Sequence, residues 1–285
     1  MLKQLELSSE LDELEKWFKL NPKLPEEIDR RLLTRFMKCM ADNVEETKKL
    51  IELSYEMRNN HPNIFINRDP DDEITKKTQA ASDLVPLPGL TPEGYKVLLF
   101  RLLDYDPRKL NSVEESKIFF MIADCRFTMT DIETENIAQD VEADMAKGDV
   151  QIVDIAGYTM SHMYRISILT FRTYMRYLQE AYPVRLKAMH IINCPAFMDK
   201  MVAFLKPFIN DEVYNMMHFH SNGLESLYKH IPRDMLPEEY GGKAGQMSAL
   251  KSKWTQIINE KRKYLMDPKQ WIVKKVEKKS RWFFF

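Results

Sequence analysis

The chain has 285 residues, 44% of them hydrophobic, enough for one large or two modest domains with real cores. Charged residues make up 30% and nearly cancel, to −1, so no overall field draws the chain to nucleic acid. No run approaches the ~18 apolar residues of a membrane-spanning helix.

Residues 1 to about 80 read as helices. The N-terminus is charged and lacks the apolar centre of a signal peptide. "SSELDELEKWFKL" repeats apolar residues at Leu11, Leu14, Trp17 and Phe18. "PEEIDRRLLTRFMKCM" (25–40) places Ile28, Leu32, Leu33, Phe36 and Met40 on one face, and Asn43 caps the helix that ends at His61-Pro62. The stretch 83–95, "DLVPLPGLTPEGY", is rich in proline and glycine and marks a domain boundary. Beyond it strands alternate with helices. "YKVLLFRLLDYDP", "DVQIVDIAG", "RLKAMHIIN" and "NMMHFHS" are strands. Residues 114–129, 166–183 and 195–209 are helices. This alternation predicts an α/β fold with a mainly parallel sheet. From about 246 the chain returns to helix and ends in the basic, aromatic "KKVEKKSRWFFF".

The usual signatures of chemistry are missing. Glycine is scarce, at 8, and no GxxxxGK, GxGxxG, GxSxG or HExxH occurs. The three cysteines, Cys39, Cys125 and Cys194, form no CxxC pair and fit a reducing compartment. His218 and His220 share one face of a strand; they either begin a metal site or are structural. Asp154, inside an apolar strand, is either a general base or a carboxylate bonded to backbone at the strand end. Arg185 and Lys187 project together, as a solvated edge or a small anion site. Methionine is abundant, at 18, which suits either ordinary core filling or a surface that repacks around a guest. The segment from Pro195 to Ile209 is apolar over so wide an arc that it must be buried or face lipid.

Residues 180–242, from "EAYPVRLKAMHIIN" through "CPAF", "LKPF" and "HFH" to "LPEEYGG", resemble the core of the CRAL-TRIO lipid-binding family. "DIAGYTMSH" (154–162) resembles its D-x-x-G segment, and "RRLLTRFMKCMADNVEETKKLI" the helical module that precedes it. The similarity runs over roughly residues 10–260, and the α-tocopherol-transfer-protein-like subgroup, with its insect-type set, is the nearest in pattern. It implies an N-terminal helical module (1–85), a CRAL-TRIO domain (86–245) with a cavity floored by the sheet, and a helical, basic-aromatic tail (246–285).

The resemblance also implies a non-enzymatic, cytoplasmic carrier of one small hydrophobic molecule, transiently associated with membranes, with no cofactor or metal. Cavity walls expected from it are Phe120, Asp124, Gln151, Val153, Tyr174, Tyr177, Leu178, Val184, Leu186 and Met189. The helix bearing Phe197, Met201, Phe204, Leu205 and Phe208 is the expected gate. Arg185 and Lys187 match two members of a basic cluster that binds phosphoinositide head groups, but Met40, Glu212 and Met216 occupy other positions of that cluster. Asp149 and Gln151 stand where the tocopherol protein is apolar, which leaves vitamin E, retinoids, carotenoids, sterols and phospholipids all open as ligands. The competing class is a lipid-occupancy sensor that binds phosphoinositide or a protein partner. The tail either packs on the body or docks to anionic membrane.

Overall fold

The computed structural model describes residues 2–132, 144–221 and 223–273. Five helices come first: α1 (Leu2–Leu20), α2 (Arg30–Cys39), α3 (Val44–Asn60), the single turn α4 (Pro62–Phe65) and α5 (Glu73–Ala81). Asn43 accepts the Glu46 N–H at 3.1 Å and starts α3 where the sequence places it. The 25–40 pattern begins its helix later than expected. Asp29 is extended, with ψ 134°, and its carboxylate accepts the Arg31 and Leu32 N–H groups. A residue capping in this way cannot also be helical, so α2 starts at Arg30.

The sheet holds five strands in sequential order: β1 (Ser82–Pro86), β2 (Tyr95–Leu102), β3 (Gly148–Asp154), β4 (Leu186–Ile192) and β5 (Met217–His220). β1 runs antiparallel to β2, and every other pair is parallel. The breaker-rich stretch therefore opens as a strand. Pro86 ends it at the sheet edge, where a missing N–H is tolerated, and Trp254 Nε1 donates to the Pro86 carbonyl at 3.0 Å.

Parallel strands require crossovers. These carry α6 (Ser112–Phe127), α7 (Met160–Met163), α8 (Ile168–Glu180), α9 (Met198–Leu205) and α10 (Asp211–Asn215). α11 (Met247–Glu260), α12 (Arg262–Met266) and α13 (Pro268–Trp271) close the described chain, and the basic-aromatic tail from 274 onward lies outside the described residues. Gly157 makes the turn after β3 at φ +77°, where a Cβ would collide with the Tyr105 ring.

α6 is the axis of the molecule. Every residue from 118 to 127 is buried. One side (Phe119, Phe120, Ala123, Phe127) joins a core shared with α1–α4, Tyr177, Tyr182 and Trp271. Another (Ile118, Met121, Ile122, Cys125) packs with sheet residues Val97, Leu99, Val150 and Ile152 and with α11.

Asp124 sits between these cores. Its carboxylate accepts both terminal nitrogens of Arg58 at 2.8 Å and is also bonded by Arg68. Arg58 Nε donates to the Tyr177 hydroxyl at 2.7 Å, which meets Ser54 at 2.8 Å, and the Arg68 guanidinium lies 4.5 Å from the Trp271 ring centre. Burial works to raise the Asp124 carboxyl, but the two guanidiniums outweigh it and hold it below the usual range. A second chain of charges joins Arg35 of α2 to Asp131 at 2.7 Å, Asp131 to Arg126 at 3.2 Å, and Arg126 to Asp149 at 2.6 Å. Asp149, unexpected beside the family pattern, is thus the partner of a buried arginine.

The far face of β4 and β5 gathers four imidazoles. His190 Nδ1 meets His220 Nε2 at 3.0 Å, and His220 Nδ1 meets Ser226 Oγ at 2.7 Å. The His190 ring lies 5.0 Å from those of His218 and His230. Burial first, then the neighbouring imidazoles, push His190 down to about 3; burial also lowers His218 and His220.

Two consequences can be measured by urea unfolding. Asp124→Ala leaves two buried guanidiniums without an anion and is expected to cost about 3–5 kcal/mol. Glu15 pairs at the surface with Lys19 at 2.7 Å and Arg30 at 3.1 Å, and Glu15→Ala should cost under about 1 kcal/mol; equal losses would refute the distinction. The histidines take up protons more readily unfolded than folded, so stability is fully present above pH 6.5 and falls as pH drops towards 3. The expected slope is roughly 1 kcal/mol per pH unit for His190 alone, and His190→Gln should flatten it. A midpoint unchanged between pH 7 and pH 5 would contradict this account.

Candidate functional site

Side chains alternate across a strand, so the second face of the sheet carries Leu98 and Phe100 of β2, Gln151 and Val153 of β3, Met189 and Ile191 of β4, and Met217 of β5. These residues floor a cavity of about 250 Å³. The first half of α6 contributes Ser112, Glu115, Ser116 and Phe119 to one wall, and α8 contributes Thr170, Phe171, Tyr174 and Met175. The spacing i, i+3, i+4, i+7 along α6 puts its four on one stripe. α9 roofs the space with Met198, Met201, Val202 and Leu205.

The roof is a short helix with little behind it. Among its residues only Met201 is buried, and Phe204, on the outer side, is 37% exposed. After Leu205 the chain tightens into a 3-10 turn, Lys206–Phe208, in which Pro207 lacks an N–H to continue the α-helical ladder. Lys206 Nζ rests over the Tyr214 ring at 4.3 Å. Asn210 ties the segment back to α8 by donating its backbone N–H to Gln179 Oε1 at 3.0 Å.

Of the expected wall residues, Gln151, Val153, Tyr174 and Met189 line the cavity, as do Met201 and Leu205 from the expected gate. Phe120, Asp124, Tyr177, Leu178 and Val184 do not. Phe120, Tyr177, Leu178 and Val184 fill the core shared with the N-terminal helices, and Asp124 is held in its arginine pairs. Helical rotation explains the displacement on α6: Phe119 and Phe120 are 100° apart, and only the first faces the space. Leu186 packs in the apolar cluster with Met189 and Ile191 without lining the cavity. The odd spacing of Leu186 and Met189 is absorbed by a register shift in which Asp149 pairs with Leu186 and Val150 with Ala188. Phe197 and Phe208 are half-buried beside the roof, Phe208 with its ring 6.4 Å from Phe171. Sequence reasoning missed Glu115, Ser116 and Phe119. The signal was the polar stripe Ser112–Glu115–Ser116 at the start of an otherwise apolar helix.

Polar groups in the cavity are few. Gln151 and Tyr174 both line the space, and burial raises the Tyr174 phenol above its ordinary range. Glu115 presents a carboxyl that burial pushes up to about 8. Outside the cavity, Arg185 and Lys187 are both exposed, and Arg185 approaches Met40 Sδ at 4.0 Å. Glu212 is exposed and Met216 half-buried. Asp154 accepts from the Ala156 N–H, Asn193 Nδ2 and the Tyr240 hydroxyl at 2.7–2.9 Å, a knot at the strand end. Among the described residues no group of three or more His, Cys, Asp or Glu side chains is placed to hold a metal ion, and no helix is long and apolar enough to cross a membrane.

Comparison with known proteins agrees with this architecture. Residues 81–242 match the family model described as CRAL/TRIO domain, and residues 3–75 match one described as Pinta-like, UBA domain. The human protein named Alpha-tocopherol transfer protein-like is 25% identical over 237 residues, covering 83% of this chain and 65% of the relative. Clavesin-1 of Xenopus laevis is 24% identical over 216 residues, 75% of this chain and 61% of the relative. The chain thus spans slightly under two thirds of the length of these curated relatives. The crystal structure of Sfh5 shares the fold, with a TM-score of 0.51 at 15% identity over 90% of this chain and 96% of that one. The helical module, the mainly parallel sheet and the roofed cavity all accord with a family match over more than half of the sequence, and the chain belongs to the CRAL/TRIO domain family.

Proposed function

We propose that the protein is a non-enzymatic carrier that takes one small hydrophobic molecule into the cavity and exchanges it with membranes. The observation that carries this reading is the apolar chamber between the sheet and a short roof helix of which only Met201 is buried. Burying an isoprenoid or acyl chain there, at roughly 25 cal/mol per Å², supplies affinity without chemistry. One relative's name, Alpha-tocopherol transfer protein-like, points the same way; tocopherol, a retinoid, a carotenoid or a similar lipid is the cargo class. Residues 1–85 act as the helical support, 86–245 as the binding domain and 246–285 as the closing segment.

In this reading α9 is the gate. Its inner side (Met198, Met201, Val202, Leu205) touches cargo, and Phe204 with Phe197 and Phe208 leans on the bilayer when the gate swings. Arg185 and Lys187 hold anionic head groups at the surface. The protein works in the cytoplasm and visits membranes peripherally.

The first test is organic extraction of the purified chain and mass spectrometry of the extract. One stoichiometric hydrophobic compound is expected; an empty extract, repeated after incubation with mixed lipids, would defeat the proposal. The gate assignment has its own test. Phe204→Asp removes the ~1.5–3 kcal/mol that an inserted phenyl ring contributes. It is expected to slow transfer between vesicles about tenfold or more while leaving the bound cargo in place. Unchanged transfer would remove Phe204 from the membrane contact.

A further inference from the structure

Among the described residues the buried carboxylates have partners, while the half-buried Glu115 has none. Asp124 and Asp131 are each held by two arginines, Asp149 by Arg126, Asp154 by Asn193 and Tyr240, and Asp83 by Arg101 and Lys251. Glu114 is bonded by Thr75 and Lys117. Its neighbour Glu115 faces the other way, into the cavity, and its side chain has no hydrogen bond or ion pair to any described residue. The polar atoms beside it are already engaged. Ser112 Oγ accepts the Ser167 N–H at 3.0 Å, and Ser116 donates to the Ser112 carbonyl at 2.8 Å. Tyr158, whose phenol feels the Glu115 charge, lines the same space. The single basic side chain on the lining is Lys206, which rests against Tyr214.

A carboxyl in apolar surroundings is costly without a partner, and here none is supplied by the described chain. We propose that Glu115 is the polar anchor of the cavity and that the cargo bears a hydrogen-bond donor, an alcohol or an amine, at its polar end. This rests on the carrier reading and narrows it. The apolar body of the guest then runs over Val153, Met189 and Ile191 beneath α9. Burial holds the empty carboxyl near 8, largely protonated at neutral pH. In that state it both accepts from and donates to a hydroxyl, while an ammonium end meets it as the carboxylate. A guest ending in a carboxylate or phosphate brings a second negative charge to the wall, and the one basic residue of the lining, Lys206, lies at the roof over the Tyr214 ring.

The test uses three sixteen-carbon probes, hexadecanol, hexadecylamine and hexadecanoate. Each displaces a fluorescent lipid from the full chain at pH 7.4. The variants are Glu115→Gln and Glu115→Leu. The alcohol and the amine are expected to bind at least about tenfold more tightly than the carboxylate. Glu115→Leu should erase that ranking. Glu115→Gln should keep the alcohol and lose the amine, so its effect tells the two donor classes apart. Both variants should melt no lower than the parent, because an unpartnered carboxyl contributes no stabilising bond. Hexadecanoate binding as well as hexadecanol, or an unchanged ranking in Glu115→Leu, overturns the assignment while leaving the carrier reading intact. A large drop in melting temperature for Glu115→Leu also overturns it, by revealing a structural partner. If no probe and no fluorescent lipid binds the parent chain, the carrier reading falls and this inference falls with it.

Discussion

The Arg58–Asp124–Arg68 cluster constrains everything around it. One carboxylate on α6 neutralises two guanidiniums, one from α3 and one from the segment after α4, and all three groups are out of water. Such a cluster is tolerable only when its geometry is complete, since any missing member leaves an uncompensated buried charge. The N-terminal helices therefore have one permitted seat on α6. The Tyr177 hydroxyl, bonded to Arg58 and Ser54, carries the same constraint into α8. Trp271 stacks against both arginines, so the C-terminal segment is seated by them as well. With α6 and α8 positioned in this way, the space they leave above the sheet has a defined shape.

That space exists because α6 divides its surface along its length. Its second half is enclosed on every side and serves two cores at once. Its first half leaves a stripe of Ser112, Glu115, Ser116 and Phe119 that the N-terminal helices do not cover. The sheet behaves in a related manner. One face of β2, β3 and β4 shares a core with α11 and with Leu227, Ile231, Leu236 and Tyr240, and the opposite face is bare between α6 and α8. α9 roofs the opening, with Met198 and Met201 turned inward and Phe204 partly exposed on the outer side. Flexible thioether side chains fit a roof over an apolar space.

The distribution of polar groups separates support from function. Charges that hold the fold together lie at α6 and at the edge of the sheet, and each has its counter-charge. The histidine cluster sits on the opposite face of the sheet from the cavity, bonded within itself and to Ser226. Inside the cavity the rule changes, and one carboxyl is left open among apolar walls. The change occurs between adjacent residues, Glu114 and Glu115, whose side chains leave the helix about 100° apart.

Much of this was legible in the sequence. Asn43, the apolar strand runs, the proline stops and the YPVRLKAMHIIN-to-LPEEYGG pattern each act locally, through capping, pleat periodicity or backbone restriction, so they identify the helices, the strands and the family without a partner in view. Gln151, Val153, Met189, Met201 and Leu205 were expected from the family resemblance, the last two also from the width of the α9 stripe. Phe120, Asp124 and Tyr177 were expected with them but do not line the cavity; α6 and α8 are apolar around more than one face, and periodicity cannot say which face meets a core and which a void. Asp124 read as a cavity anchor since its two arginines lie 66 and 56 residues away in the chain. Nothing in the local sequence marks Glu115 as unpaired, for the converse reason. Local patterning thus determined the elements and the family, whereas only the tertiary structure decided which carboxylate is paired and which is left for a ligand, because pairing depends on residues brought together from distant parts of the chain.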